Sequence, residues 1–310
     1  IKLFTRKGQY VADIGGIGQG PGEYKTIHFC MIDEKQKRIY LGPGRANKIL
    51  TYDLKGNYLS DEAIHFKEIV HKPCIWMDHD KKHVTVVGLP FSENENSNFE
   101  ISNNVCWVQN REGDIVHRIS ANHYGLIGDY SNGLVACRNV DAISFSIFED
   151  PMLRTRPDTL YHYDAVKNII TPRFTIDHVV SENQSACTVL YETSRSYWAR
   201  VTLYPNDISS NSSPVRLTTF NVCVSKKDGS VKRIDRFTND FLGLSYPFLT
   251  MRNGYVCISY DPLELMDALD KVLTQTDLKP EIRKRATGLR NSLHENDNDI
   301  LMIGKLKSNY

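Results

Sequence analysis

The sequence, 310 residues long, has little of what would assign a chain quickly to a class of protein. Its net charge is only +1, because 38 Lys and Arg residues nearly balance 37 Asp and Glu residues. That balance gives no electrostatic reason to expect nucleic acid or an anionic membrane surface as a partner. No apolar run approaches the roughly 20 residues of a membrane span, so we expect no transmembrane helix.

Catalytic and metal-binding motifs are also missing. The sequence contains neither the G-x-S-x-G of serine hydrolases nor the H-E-x-x-H of zinc enzymes. Its seven cysteines are odd in number and widely spaced, and no two form a C-x-x-C pair. Since each lies in a strand-like segment, we interpret them as small apolar residues of strands and not as a disulfide framework. The sequence therefore indicates no catalytic residue, no metal ligand and no cofactor.

The sequence does have enough apolar residues for a sizeable core, 41% of the chain, and it has an internal repeat. One unit consists of an alternating strand, a tight turn with Gly or Asn and a second alternating strand. This unit occurs at 1–14, 48–64, 105–119, 159–176 and 218–234. A second kind of strand pair lies between these units, at 27–42, 74–89, 126–138, 248–260 and, in degenerate form, 184–204.

Two hairpins in each period predict four-stranded antiparallel blades, and a radial arrangement of such blades is a β-propeller. The second hairpin occurs five times and is followed by a lone final strand at 299–307, which fits six blades. We therefore predict an all-β fold, a six-bladed β-propeller that forms one domain over residues 1–310. Because propellers close by pairing their terminal strands, we expect blade 1 to be incomplete at the N-terminus, with upstream residues absent.

One segment, about 261–298, departs from the strand pattern. Asp261 and Pro262 are typical of the start of a helix. Apolar residues then recur at helical spacing, and they do so again in a second helix that begins near Pro280. We predict a helical hairpin inserted between the second and third strands of the last blade, with its apolar stripe packed against the parent domain.

The segment Gly16–Tyr24, GIGQGPGEY, invites interpretation as a phosphate-binding loop. It matches neither G-x-G-x-x-G nor a P-loop, and a strand-like segment follows it where both motifs need the N-terminus of a helix. We instead predict a crossover between blades 1 and 2, in which glycines adopt positive φ and Tyr24 packs beneath the next blade.

Three ordered signatures resemble one family. They are GQGPGEY (Gly18–Tyr24), YDPLEL (Tyr260–Leu265) and LMIGKLK (301–307). With the stretch 158–177 they resemble the six-bladed, NHL- or TolB-like β-propeller proteins of Bacteroides-type bacteria, a family largely without assigned function. The resemblance implies a cell-envelope location, in the periplasm or as an outer-membrane lipoprotein whose lipid anchor lies upstream of this sequence. It implies no catalytic residues.

Ligand contacts are expected in loops at one face of the scaffold, because loops on a rigid framework commonly carry function. Arg side chains beside aromatic or amide groups suit carboxylate, sugar or peptide groups. The candidate ligand-binding residues are Arg45, Asn47, Arg138, Arg154, Arg156, Arg195, Tyr197 and Trp198.

The leading functional hypothesis is a non-enzymatic module that binds an unknown small molecule, glycan or protein through the propeller face or its central funnel. The alternative is a metal-assisted lyase or hydrolase, with His, Asp or Glu side chains converging on the propeller axis. A purely architectural subunit is a third class, and it would expose an apolar patch on a blade edge or on the helical hairpin.

Overall fold

A computed structural model describes residues 1–5, 8–78, 82–92, 99–151, 156–177, 184–205 and 217–305. These residues are mostly β-structure, with 24 strands in several sheets and two α-helices. The chain forms two compact units. Unit 1 comprises Ile1–Ala136, Ile147–Arg156 and Tyr161–Arg173, and unit 2 comprises Cys137–Ser146, Pro157–Leu160 and Phe174–Tyr310. That residues 1–310 form one domain stays a prediction.

Unit 1 contains the first eleven strands. They are β1 (Lys2–Phe4), β2 (Tyr10–Asp13), β3 (Gly16–Ile17), β4 (Glu23–Tyr24), β5 (Ile27–Asp33), β6 (Arg38–Pro43), β7 (Arg45–Asp53), β8 (Ile64–Met77), β9 (His83–Leu89), β10 (Asn104–Asn110) and β11 (Ile115–Ser120). Strand β1 pairs with β2, and β3 pairs with β4 in parallel. The other seven form one antiparallel sheet in the order β11-β10-β9-β8-β7-β6-β5.

Strands β12 (Gly133–Val140), β13 (Ala142–Phe148), β14 (Asp158–Asp164) and β15 (Ile169–Ile176) form a four-stranded sheet in chain order, and the division between the units passes through it.

The remaining strands lie in unit 2, and β16–β19 form a second four-stranded sheet in chain order. They are β16 (Gln184–Glu192), β17 (Ser196–Pro205), β18 (Thr218–Ser225), β19 (Val231–Ile234), β20 (Phe237–Thr238), β21 (Ser245–Tyr246), β22 (Met251–Arg252), β23 (Tyr255–Tyr260) and β24 (Ile300–Lys305). Strand β20 pairs with β21, and β22-β23-β24 form a three-stranded sheet.

The predicted turn chemistry is confirmed. The first strand pair of the repeat occurs five times, and each copy has a glycine or an asparagine with positive φ in its turn. These residues are Gly8, Gly56, Gly113, Asn168 and Gly229. A residue without a β-carbon, or an Asn whose short side chain tolerates this backbone, is needed at such positions. Local sequence therefore sets where the strands reverse.

The predicted hairpin at 48–64 differs from the structure. After β7 the chain makes a single bridge between Tyr52 and Tyr58 and then a 3-10 turn at Ser60–Glu62. The strand that pairs with β7 is β8, which begins only at Ile64 and continues for 14 residues. It pairs with β7 over its first half and with β9 over its second half, so one continuous strand replaces two predicted ones.

The strand pair predicted at 126–138 is also wrong. Only β12 forms there, and its antiparallel hairpin partner is β13. Leu126 instead makes an isolated parallel bridge with Phe91. The polar residues that follow Leu126 bind their own backbone in a turn, and such local bonds compete with a sheet ladder.

The segment Gly16–Tyr24 is a crossover that leads into β5, as predicted. Tyr24 is buried in a cluster with Ile14, Leu41 and Tyr52. The Tyr52 hydroxyl donates to the carbonyl of Gly22 at 2.5 Å, and the Tyr24 hydroxyl donates to that of Ile14 at 3.1 Å. Two tyrosines thus hold the glycine segment on the core. A strand, β5, follows the segment, so no helix N-terminus is available there to bind an anion.

The helical hairpin is confirmed in unit 2. Helix α1 (Pro262–Leu273) has Asp261 as its N-cap, whose carboxylate accepts from the backbone of the first turn. Helix α2 (Pro280–Ser292) follows, and β24 then pairs with β23. The apolar faces of both helices are buried in one cluster of unit 2, with Leu265, Leu269, Val272 and Ala286 among its members. The stripe is therefore a docking face within unit 2.

The cysteines are all free, and every one lies in a strand. Cys74, Cys106 and Cys137 are buried, whereas Cys30 and Cys257 are exposed. The interpretation as residues of strands is therefore confirmed for all seven, two of which lie at the surface.

Substituting Gly15 by alanine tests the tyrosine-held crossover. Gly15 has a φ of +64°, and a β-carbon there would lie 2.6 Å from the Tyr52 hydroxyl and 2.7 Å from the carbonyl oxygen of Gly22. We expect Gly15→Ala to lower the free energy of unfolding by about 2–4 kcal/mol, from left-handed backbone strain plus overpacking. Gly16→Ala is the matched control, because no atom lies within 4 Å of its added β-carbon. Equal urea midpoints for the two variants would contradict this account.

Candidate functional site

The predicted ligand-binding residues are divided between the two units. Unit 1 contains Arg45, Asn47 and Arg156, and unit 2 contains Arg138, Arg195, Tyr197 and Trp198. Arg154 lies outside the described residues. Of this set, Arg45 lies among other charged and aromatic side chains that together form a surface of unit 1.

Arg45 begins β7 and pairs across the sheet with His71 of β8. Its guanidinium binds Glu100 through two nitrogens, with Nε donating to Oε2 at 3.1 Å and Nη2 donating to Oε1. This bidentate geometry is the strong form of an arginine–carboxylate pair. The Arg45 side chain is nevertheless 60% exposed, so a ligand can still reach it. Asn47 follows on the same strand and is also exposed.

His71 lies beneath this ion pair and is only 5% exposed. Its Nε2 is 3.3 Å from Oε2 of Glu100, a distance within ion-pair range but without hydrogen-bond geometry. Burial, and then the charges of Arg45 and Lys72, lower the pKa of His71 from 6.5 to about 4. The imidazole is therefore neutral at physiological pH, and the carboxylate of Glu100 forms its ion pair with Arg45.

Lys72 comes next in β8, at a register shift in the ladder between His71 and Cys74. Its backbone is left-handed, with φ +46°, and its N–H donates to the carbonyl of Gly44 at 2.7 Å. Its ammonium donates to the carbonyl oxygens of Tyr130, at 3.0 Å, and of Asn132. Burial lowers the pKa of Lys72, an effect that the charge of Asp129 opposes.

The turn that Lys72 binds is fixed by its own side chains. The carboxylate of Asp129 accepts from the N–H of Ser131 at 2.7 Å, and the amide of Asn132 donates to the carbonyl of Ile127 at 2.7 Å. The Asn132 amide oxygen also accepts from the N–H of Asp150 at 2.8 Å. Side chain–backbone bonds of this kind hold the turn around Tyr130 in one conformation.

Tyr130 projects from this fixed turn and is 85% exposed. Its ring centroid lies 4.7 Å from that of Phe99. Phe99 in turn contacts Phe91 at 4.8 Å, and Phe91 contacts the His71 ring at 4.7 Å. A continuous row of aromatic rings therefore runs from the buried His71 to the solvent.

We call this part of unit 1 the aromatic–ionic surface. It consists of Arg45, His71, Lys72, Phe99, Glu100 and Tyr130. The Arg45–Glu100 pair is neutral as a whole, and the ammonium of Lys72 is bound to carbonyl oxygens and attracted by the carboxylate of Asp129. The surface presents a flat, exposed aromatic ring on a rigid backbone beside a planar guanidinium–carboxylate pair.

Arg156, the other described arginine that was predicted in unit 1, has a structural environment. Its guanidinium donates to the carbonyls of His123, at 3.2 Å, and Tyr124, at 2.8 Å, and Nε lies 3.2 Å from the buried carboxylate of Glu149. The side chain therefore ties three segments of unit 1 together.

In unit 2 the last residue of β16, Glu192, is a charged group that the sequence reasoning missed. The carboxylate of Glu192 has no solvent exposure. It accepts a hydrogen bond from Lys226 Nζ at 2.7 Å and another from Ser144 Oγ. The Lys226 ammonium also lies 4.6 Å from the centroid of Tyr197, whose ring stacks on Phe174 at 4.7 Å.

The other predicted residues of unit 2 contribute backbone contacts or packing. The N–H of Arg138 donates to the amide oxygen of Asn253 at 2.9 Å. The carbonyl of Arg195 accepts from the N–H of Lys226 at 2.8 Å. Trp198 packs on Phe237, and its indole Nε1 is buried without a hydrogen-bond partner. These residues do not form one ligand-binding cluster.

Two negative observations hold for the part of the chain that the structure describes. It contains no group of three or more His, Cys, Asp or Glu side chains placed to hold a metal ion. It also contains no helix that is both long and apolar enough to cross a membrane.

This chain is a mostly β protein. It has antiparallel sheets whose strands follow chain order, a glycine crossover and an inserted helical hairpin. The chain matches the family described as "Domain of unknown function (DUF4934)" over residues 1–305, and it therefore belongs to that family. No curated protein matches it.

Two solved structures resemble this chain. A "putative exported protein" from Bacteroides fragilis NCTC 9343 has a TM-score of 0.58 and 15% identity, covering 99% of this chain and 84% of that one. A member of the DUF4221 family from Bacteroides vulgatus ATCC 8482 has a TM-score of 0.47 and 10% identity, covering 85% of this chain and 81% of that one. The first likeness shows a shared fold.

The neutral, buried state of His71 predicts a pH dependence of stability. The unfolded chain protonates this histidine near pH 6.5, but the folded protein does so only at about pH 4. Below pH 6.5 the unfolded state therefore binds more protons, and the free energy of unfolding falls as the pH falls towards 4. Between pH 7 and pH 5 we expect His71 to account for a loss of about 2 kcal/mol.

Urea unfolding at both pH values measures this loss. His71→Gln should lose about 2 kcal/mol less than the wild type between pH 7 and pH 5, whereas the exposed His123→Gln should behave as the wild type does. The same pH dependence in all three proteins would mean that folding does not shift the pKa of His71.

The Glu192–Lys226 pair predicts a large loss of stability when its cation is removed. Lys226→Met leaves a fully buried carboxylate without a counter-charge, which should cost roughly 3 kcal/mol of unfolding free energy. Lys227→Met is the matched control, because Lys227 is exposed, and its change should be within about 0.5 kcal/mol. The double variant Glu192→Gln/Lys226→Met should be more stable than Lys226→Met, and the reverse order in thermal unfolding would contradict this assignment.

Proposed function

We propose that this protein is a non-enzymatic binding module of the bacterial cell envelope, and that its aromatic–ionic surface binds carbohydrate. The observation that carries this proposal is Tyr130, a ring 85% exposed on a turn that Lys72 and neighbouring side chains hold fixed. An exposed aromatic side chain on a mobile loop would lose conformational freedom on binding. Here the turn is already ordered in the folded protein, so binding costs less conformational entropy.

The chemistry of the surface favours a neutral, polar ligand with flat faces. The C–H bonds on one face of a pyranose ring can pack on Tyr130, and vicinal hydroxyls can bind the planar Arg45–Glu100 pair, which offers donors and acceptors together. A strongly charged ligand gains less here, since Arg45 is already paired with Glu100 and the ammonium of Lys72 already binds two carbonyl oxygens near Asp129.

We further propose that the sheets are blades of a six-bladed β-propeller. Supporting this, β16–β19 is a four-stranded antiparallel sheet in chain order, and the seven-stranded sheet divides at β8 into β5-β6-β7-β8 and β8-β9-β10-β11. Each set has the strand order of a propeller blade. A crystal structure with the sheets stacked as a sandwich, or with another number of blades, would overturn this proposal.

The proposed envelope location is supported by the shared fold and by the description of a similar solved structure. The similar protein from Bacteroides fragilis is described as exported, and the sequence signatures resemble envelope propellers of related bacteria. Fractionation of the native host, followed by immunoblotting, tests this location. Recovery with the cytosolic fraction would overturn it.

Carbohydrate binding is tested on a printed array of microbial, plant and animal glycans, with Kd measured by calorimetry for each glycan bound. We expect Tyr130→Ala to weaken binding at least about tenfold, because aromatic contact and its buried area are lost. Tyr10→Ala is the matched control, since Tyr10 is also exposed (55%) but lies outside the aromatic–ionic surface. An array without binding, or equal Kd values for both variants, would show that the proposal is wrong.

A further inference from the structure

A small cavity lies within unit 1, lined by residues that are not part of the aromatic–ionic surface. Its volume is about 140 Å³, and its lining comes from the middle of β8 and from β10 and β11. Among the lining residues are Phe66, Glu68, Asn104, Trp107 and Arg118. The volume exceeds what a single ordered water needs, so the cavity has room for a small organic molecule.

The apolar walls of the cavity are preformed. Phe66 and Trp107 are 8% and 3% exposed, and their rings meet edge to face with centroids 6.1 Å apart. The Trp107 indole donates to Gln109 Oε1 at 2.7 Å, and Gln109 Nε2 donates to the carbonyl of His65 at 2.7 Å. This chain of bonds fixes the orientation of the indole.

Two of the polar groups that line the cavity, Glu68 and Asn104, present acceptor oxygens. Glu68 Oε1 accepts from Asn104 Nδ2 at 2.8 Å, and Oε2 accepts from the amide of Asn103. Because an ionised carboxylate only accepts, this bond fixes which end of the Asn104 amide is oxygen. That oxygen, Oδ1, is buried, has no hydrogen-bond partner among the described residues, and belongs to a residue that is only 4% exposed.

The charges around the cavity are incompletely paired. Glu68 forms no ion pair with any described residue, although aromatic walls lie beside it. Lys67, also at the cavity, is bound to Asp114 at 3.2 Å. Arg118 lies on the lining from β11, and among the described residues its guanidinium has no carboxylate partner. One carboxylate and one guanidinium are thus available on the same small cavity.

We propose that this cavity binds a small, free α-amino acid. Its ammonium group supplies three donors for Glu68 and for the orphan oxygen of Asn104, next to aromatic rings that favour a cation. Its carboxylate pairs with Arg118, whose exposed guanidinium has no carboxylate partner among the described residues. The volume limits the side chain to a short one, as in glycine, alanine or serine. This site does not depend on the proposed carbohydrate site, because the two have no residue in common.

Calorimetric titration of the whole protein with glycine, L-alanine, L-serine and L-valine tests the proposal. L-Alanine is compared with ethylamine, which lacks the carboxylate, and with propionate, which lacks the ammonium. We expect an amino acid to bind and both analogues of alanine to bind at least about tenfold more weakly, since each loses one charge-assisted contact. Indole fluorescence of Trp107 offers a second readout.

Two variants assign the contacts. Glu68→Gln and Arg118→Gln should each weaken the binding of L-alanine about tenfold or more. Glu112→Gln is the matched control, because Glu112 is an exposed carboxylate on the β10–β11 turn outside the cavity lining, and it should bind as the wild type does. Far-UV circular dichroism and urea midpoints establish that each variant is folded. If Glu68→Gln unfolds, the analogue series on the wild type still decides.

Three results would overturn the proposal. One is no binding of any of the four amino acids at millimolar concentration. Another is ethylamine binding as tightly as L-alanine, which would remove the role of Arg118 and leave a plain amine site. The third is wild-type affinity in folded Glu68→Gln. Loss of glycan binding in Tyr130→Ala with amino-acid binding intact would show that the two sites are separate.

Discussion

The long strand β8 is the constraint on which the surface of unit 1 depends. It must pair with β7 through its first half and with β9 through its second, and the ladder shifts register between His71 and Cys74. A register shift re-aims side chains that a regular strand would alternate strictly. Here it leaves His71 buried opposite Arg45 and lets Lys72, with φ +46°, reach the turn at Tyr130. A single backbone irregularity therefore positions two of the six residues of the aromatic–ionic surface.

The two units solve the problem of burying an ionisable group in opposite ways. Histidine can lose its charge near neutral pH, and His71 does so, because burial and then the charges of Arg45 and Lys72 lower its pKa, and its ring donates no hydrogen bond to Glu100. A carboxylate without solvent has to be neutralised or paired. Glu192 is paired with Lys226 and bound by Ser144, which joins the tips of separate hairpins in unit 2. Both arrangements stabilise the fold, and neither presents a reactive group to solvent.

Sequence alone predicted what is decided locally. Turns with Gly or Asn at positive φ, the N-cap at Asp261 and the apolar stripe of the helices depend on residues a few positions apart. At 48–64 a 3-10 turn follows the glycine turn and moves the start of the paired strand β8 to Ile64, and at 126–138 Leu126 bridges the distant Phe91 while β12 pairs with β13. Turn chemistry encodes neither outcome. The candidate site shows the same limit. Arg45 was predicted from its loop, but Glu100 lies 55 residues away and Tyr130 lies 58 residues from Lys72, so no local pattern joins them.

Pairing of charge explains why the two sites of unit 1 would select different ligands. At the aromatic–ionic surface the guanidinium and the carboxylate already bind each other, so a ligand gains by fitting around a neutral pair and an exposed ring. In the cavity Glu68 and Arg118 have no such partner among the described residues, and Asn104 Oδ1 has no donor. Of these groups only Asn104 Oδ1 is buried, so a ligand that supplies a donor there removes a desolvation penalty, while the half-buried Glu68 and the exposed Arg118 add charge-assisted contacts. A neutral sugar has no such advantage in the cavity, and a zwitterion has none at the surface.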